Sequence, residues 1–86
     1  MSTIVIFHEV NDVDHWAAST KRAEVFGSRG IKVRTFVDPE QSNRVGLIVE
    51  VPDMAEFQAL MESQEVADAM ATDGVRPETV LVLTES

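Results

Sequence analysis

The chain has 86 residues, enough for one domain with a modest core, and 44% of them are hydrophobic, too many for a disordered chain. It carries no cysteine, which excludes disulfides, thiolate nucleophiles and cysteine-bound zinc or iron–sulfur centres. A formal net charge of −8, with seven scattered Lys and Arg residues, excludes a basic stripe for nucleic acid or anionic lipid.

In chain order, residues 3–10 are rich in Ile, Val and Phe and predict a first strand, not a signal peptide, since no positive segment precedes them. Asn11 and Asp12 offer a turn and a helix N-cap. Residues 13–28 read as one helix with Trp16 and Phe26 on its apolar side, and Gly30 stops it. Residues 31–37 alternate and predict the second strand. Asp38-Pro39-Glu40-Gln41-Ser42-Asn43 is a turn, and residues 44–51 are the third strand. Pro52-Asp53 then opens a helix in which Met54, Phe57, Leu60 and Met61 recur on one side, and Asp53 with Glu56 suits a capping box. Ser63 caps a further helical piece carrying Val66, Ala69 and Met70, which Asp73-Gly74 ends. Residues 78–84 are the fourth strand. No apolar run is long enough to span a membrane, and a cysteine-free chain of this kind is expected in the cytoplasm.

This β-α-β-β-α-β order predicts a single α+β domain over 1–86, with a four-stranded antiparallel sheet and helices on one face. The first, third and fourth strands are apolar on both sides, unlike a sheet with one wet face. A four-stranded face covers roughly 400 Å², from strand spacing and rise. Left bare, that is a large apolar patch for a monomer. A second copy of the chain, packed sheet to sheet, is the expected cover.

Like faces must pair across the sheet, which puts Lys32 beside Glu50 and Phe36 beside Gly46. The uncovered face is then expected to hold Ile6, His8, Phe36, Gly46, Ile48, Leu81 and Leu83, with Arg34 and Glu50. A mostly apolar wall with a few polar groups is what small-molecule pockets look like. His8, Phe36 and Gly46, with His15 and Trp16 from the first helix, are expected at one end. Lys32, Arg34 and Glu50 are expected at the other.

His8 is the candidate catalytic residue, because imidazole exchanges a proton near neutral pH. The plainer reading is a satisfied core or interface histidine. The candidate substrate-binding residues are Ile6, His15, Trp16, Arg34, Phe36, Ile48 and Glu50. Each has a plainer role: His15 as a local hydrogen-bonding group, Trp16 as a core anchor, and Glu50 with Lys32 or Arg34 as a cross-strand charge pair. His8 and His15 lack an obvious third metal ligand, so no metal is expected. No glycine-rich phosphate loop or nucleophile elbow occurs, and no cofactor is expected.

Through Phe7-His8-Glu9-Val10, Asp12 to Trp16, Gly30, Asp38-Pro39-Glu40, Asn43-Arg44-Val45, Glu50, Asp53, Phe57, Ser63, Ala69-Met70, Gly74-Val75 and Pro77, the chain resembles the dimeric α+β barrel superfamily. That resemblance spans nearly the whole chain. It implies a ferredoxin-like protomer and a homodimer whose sheets form a barrel. The superfamily includes cofactor-free antibiotic-biosynthesis monooxygenases, polyketide cyclases, muconolactone isomerases, haem-degrading enzymes and stress-response proteins. The implied function is cofactor-independent monooxygenase- or cyclase-like chemistry on an apolar or aromatic small molecule. The alternatives are a non-catalytic ligand-binding or stress-associated dimer, and an accessory subunit.

Overall fold

The computed structural model describes residues 2–85. Four strands, β1 (Ser2–Glu9), β2 (Lys32–Val37), β3 (Arg44–Val51) and β4 (Leu81–Thr84), form one antiparallel sheet in the order β2-β3-β1-β4. With β3 lying between them, β1 and β2 run parallel, so the helical crossover from one to the other makes a split βαβ unit. The expected ferredoxin-like α+β architecture is what the chain adopts. The predicted pairs Lys32 with Glu50 and Phe36 with Gly46 lie in register.

The first predicted helix is in fact two: α1 (Val13–Ala18) and α2 (Lys21–Gly27). Ser19 takes an extended conformation between them. The cause is local. Ser and Thr hydroxyls compete for backbone partners and favour helix ends over interiors, and here the Ser19 hydroxyl accepts from the Lys21 N–H at 3.2 Å. Asp12 caps α1 by accepting from His15 N–H.

The second half follows the sequence closely. Asp53 accepts from Ala55 N–H and Glu56 N–H at the start of α3 (Met54–Met61), the Asp53 half of the capping box. Ser63 caps α4 (Gln64–Thr72) through Val66 N–H. Gly74 then turns the chain at φ +72°, a left-handed conformation that costs a residue with a Cβ. The predicted last strand begins later than expected. Pro77–Thr79 form a short 3-10 turn, and the ladder with β1 runs from Leu81 to Thr84. Residue 10 leaves the first strand as a single bridge from Val10 to Val75.

The core lies between the helices and one face of the sheet. Ile4, Ile6 and Val10 from β1 and its extension meet Val45, Leu47, Val49 and Val51 from β3. Trp16, Val25, Phe26, Phe57, Leu60 and Val66 close over them from the helices. The opposite face carries no helix. Phe7, Phe36, Leu81 and Leu83 stand there about half exposed, at 46–52% of their accessible surface.

Candidate functional site

The register corrects the expected face of the first strand. Ile6 pairs with Leu47 and His8 with Val45, so both point to the helix-covered side. Val5 and Phe7 take the open side, opposite Ile48 and Gly46. His8 is 6% exposed and Ile6 is buried, whereas Phe7 is 47% exposed. On that open face Phe7 lies beside Gly46, where a Cβ would make an ordinary van der Waals contact with the ring at 3.5 Å.

The candidate residues therefore separate into two groups, with His15 outside both. Phe36, Ile48, Arg34 and Glu50 belong to the open face of β2 and β3 and do not meet His8. Arg34 leans toward Phe36, its guanidinium carbon 5.9 Å from the ring centroid. Among the described residues no ion pair joins Glu50 to Lys32 or Arg34. His15 is also set apart. It is exposed, and its Nε2 lies 2.9 Å from the Thr72 carbonyl oxygen, tying α1 to the end of α4. It does not line the pocket that His8 lines. Among the described residues no three His, Asp or Glu side chains gather as a metal site.

Ile6, His8 and Trp16 do come together, around a pocket of about 60 Å³ between the sheet and the helices. Its floor is Ile6, His8 and Leu47. Its walls are Trp16 from α1, Arg22, Val25 and Phe26 from α2, and Met61, Val66, Ala69 and Met70 from α3 and α4. The His8 ring stands edge-on to the Trp16 ring, with centroids 5.6 Å apart at 77°. That is the arrangement aromatic quadrupoles favour.

Two residues that the sequence reading did not single out complete the site. The Arg22 guanidinium lies over the Trp16 ring, 4.0 Å from its centroid. It donates to the Trp16 carbonyl at 2.9 Å and to Asp73 Oδ2 at 3.4 Å. Asp73 is buried and also accepts from the Ser19 hydroxyl at 2.5 Å. The α1–α2 break makes this possible, since Ser19 there is free to face Asp73. Arg22 and Asp73 are separated by 51 residues, so only the fold pairs them. The sequence signal was slight: a Ser-Thr dipeptide inside a predicted helix.

Burial lowers the Arg22 pKa, and Asp73 opposes that shift. The His8 pKa is also lowered, first by burial. The neighbouring Glu9 backbone opposes this, and the charge of Arg22 adds to it. His8 is therefore neutral at pH 7. Its Nδ1 is buried and has no hydrogen-bond partner. A buried polar atom left unpaired costs on the order of 1–3 kcal/mol.

A stability signature follows. The unfolded chain protonates His8 near its ordinary value of 6.5, before the folded chain does. Stability is thus full above pH 6.5 and is lost as pH falls from there through the folded-state pKa, by at most about 1.4 kcal/mol per pH unit for one proton. In urea melts at stepped pH, His8→Gln is expected to flatten this part of the profile. An unchanged slope in that variant contradicts the assignment.

The sequence matches no protein-family model and no curated protein. Its fold matches solved structures. A crystal structure of an antibiotic biosynthesis monooxygenase superposes with a TM-score of 0.65 at 13% identity, over 100% of this chain and 97% of that one. A conserved protein of unknown function from Bacteroides thetaiotaomicron VPI-5482, described as a possible oxidoreductase, gives 0.58 at 13% identity, over 98% and 92%. Likeness at such low identity speaks for fold and not for chemistry. The chain is a ferredoxin-like α+β protein built on the same fold as an antibiotic biosynthesis monooxygenase.

Proposed function

We propose that this chain is a homodimeric, cofactor-independent enzyme of the monooxygenase-like type, acting on an apolar small molecule held between its sheet and its helices. The observation that carries the reading is His8: a buried imidazole, neutral at pH 7, with an unpartnered Nδ1 in a mostly apolar pocket. A neutral imidazole takes a proton from a bound substrate. Arg22 lies over the Trp16 ring with its charge paired to Asp73. Oxidation is the reaction to test first, because an antibiotic biosynthesis monooxygenase is built on the same fold.

The test is a screen of phenols and hydroquinones by thermal shift and oxygen uptake. At least one compound is expected to raise the Tm and to drive oxygen uptake, with His8→Gln losing uptake at least tenfold while remaining folded. If no compound does either, the reading fails. Stabilisation without uptake supports the second reading, a non-catalytic binding dimer. One feature favours that second reading: Arg22, which lines the pocket beside His8, is already committed to Asp73 and to the Trp16 carbonyl.

The dimer is proposed to form through the open sheet face, where Phe7, Phe36, Leu81 and Leu83 form an exposed apolar surface on adjoining strands. Phe36→Asp would bury a carboxylate against the partner sheet and is expected to weaken self-association at least a hundredfold. Light scattering at micromolar concentration checks this. A monomeric mass for the unmodified chain contradicts the dimer.

A further inference from the structure

The pocket also limits what it takes, an inference that rests on reading it as a ligand site. A volume of about 60 Å³ is far below the roughly 300–1,000 Å³ of a drug-sized site. It is also below the roughly 150 Å³ that admits a benzene ring. The walls have some give. Met61 and Met70 are only partly buried, and methionine side chains repack readily. The sheet floor does not give, because Ile6 and Leu47 are locked in neighbouring strands. A single ring already requires the methionines to move, and each further ring requires more room still.

The polar groups select further. Among the described residues, His8 Nδ1 is the buried side-chain polar atom without a partner. A hydroxyl serves it in either tautomer, because it both donates and accepts. A carboxylate gains little: Lys21, the other cation at the pocket, is half exposed and lies 3.8 Å from Glu24. The Arg22 charge is already balanced by Asp73, its Nη2 is spent on the Trp16 carbonyl, and its face lies on the Trp16 ring. A bound carboxylate would add a second negative charge beside Asp73 at a desolvation cost that nothing repays.

From these features we infer that the pocket is selective for a neutral, single-ring molecule carrying one hydroxyl, a small phenol, bound with that hydroxyl on His8 Nδ1. Phenols ionise near pH 10, as tyrosine does, and enter uncharged at neutral pH.

The experiment is a titration of the full chain with p-cresol, toluene, p-toluate and 2-naphthol, followed by the indole N–H resonance of Trp16, the single tryptophan. p-Cresol is expected to bind roughly tenfold tighter than toluene, the worth of one hydrogen bond, and both tighter than p-toluate and 2-naphthol. In His8→Leu the preference for p-cresol over toluene is expected to vanish. Equal binding of p-cresol and toluene to the unmodified chain overturns the hydroxyl contact. Tightest binding of 2-naphthol overturns the one-ring limit, and tightest binding of p-toluate overturns neutrality. If none of the four binds, the pocket itself is not a ligand site and the proposed function falls with it. Should His8→Leu not fold, the 15N resonance of His8 Nδ1 in the unmodified chain decides. It is expected to move with p-cresol and not with toluene, and an unmoved resonance overturns the contact.

Discussion

Trp16→Ala is expected to lower the stability of the folded chain by about 3–5 kcal/mol, the range for truncating a buried tryptophan. Trp16 is among the largest fully buried side chains. Its removal opens a void between the sheet and α1. It also takes away the ring on which Arg22 rests and the edge against which His8 is set. A domain of this size has on the order of 5–15 kcal/mol of total stability, so the loss is a large share of it. Urea denaturation checks this through the midpoint, with an unchanged slope showing that compactness is retained. Trp16→Phe is expected to cost less, about 1–3 kcal/mol, because it keeps an aromatic ring over the same floor. A loss below about 1 kcal/mol for Trp16→Ala would mean that the ring is not a core anchor.

Asp73→Ala is the second large effect, expected at about 3 kcal/mol. The substitution removes the carboxylate from two partners at once, the Ser19 hydroxyl and the Arg22 guanidinium. The side chains of Arg22 and Asp73 are 12% and 4% exposed, so the stranded cation has little water to turn to. Breaking such a pair from one side costs about 3–5 kcal/mol, and the lower end applies here because Arg22 keeps its bond to the Trp16 carbonyl. A double-mutant cycle with Arg22→Met separates the pair from its surroundings. The double variant is expected to be more stable than the sum of the two singles predicts, since neither charge is then left alone. Strict additivity would show that the 3.4 Å contact contributes nothing.

Much of the fold was legible because its signals are local. Asp12, Asp53 and Ser63 each sit before a run of apolar residues at helical spacing, and each caps the helix expected of it. The pairing of Phe36 with Gly46 followed from matching faces across two strands whose aliphatic sets were unambiguous. The first strand offered no such contrast. Ile4 and Ile6 oppose Val5 and Phe7, so hydrophobicity alone does not say which set faces the helices. The set of Ile6 and His8 was expected outside. The more telling residues were Thr3 and Glu9, which share the parity of Val5 and Phe7 and mark the outer side. Antiparallel pairing then reverses every assignment on that strand together, which is why Ile6 and His8 both moved.

The site was less legible than the fold because it is non-local. Trp16 and His8 were visible as residue types, and their meeting depended on the face of β1. Arg22 and Asp73 carried no motif. In sequence, Asp73 reads only as the residue before a helix-stopping glycine, and Arg22 as one charge on a solvated helix. Their pairing, with Ser19 between them, appears only when the end of α4 is brought against the α1–α2 break.

The central claim is that a ligand sits between the sheet and the helices, against His8, and not on the open face of the sheet. A 15N-correlated titration of the full chain with p-cresol tests it directly. Shifts are expected at the Trp16 indole N–H and at Ala69 and Met70, with Gly46, Ile48 and Phe36 unmoved. Shifts confined to Gly46, Ile48 and Phe36 would contradict it.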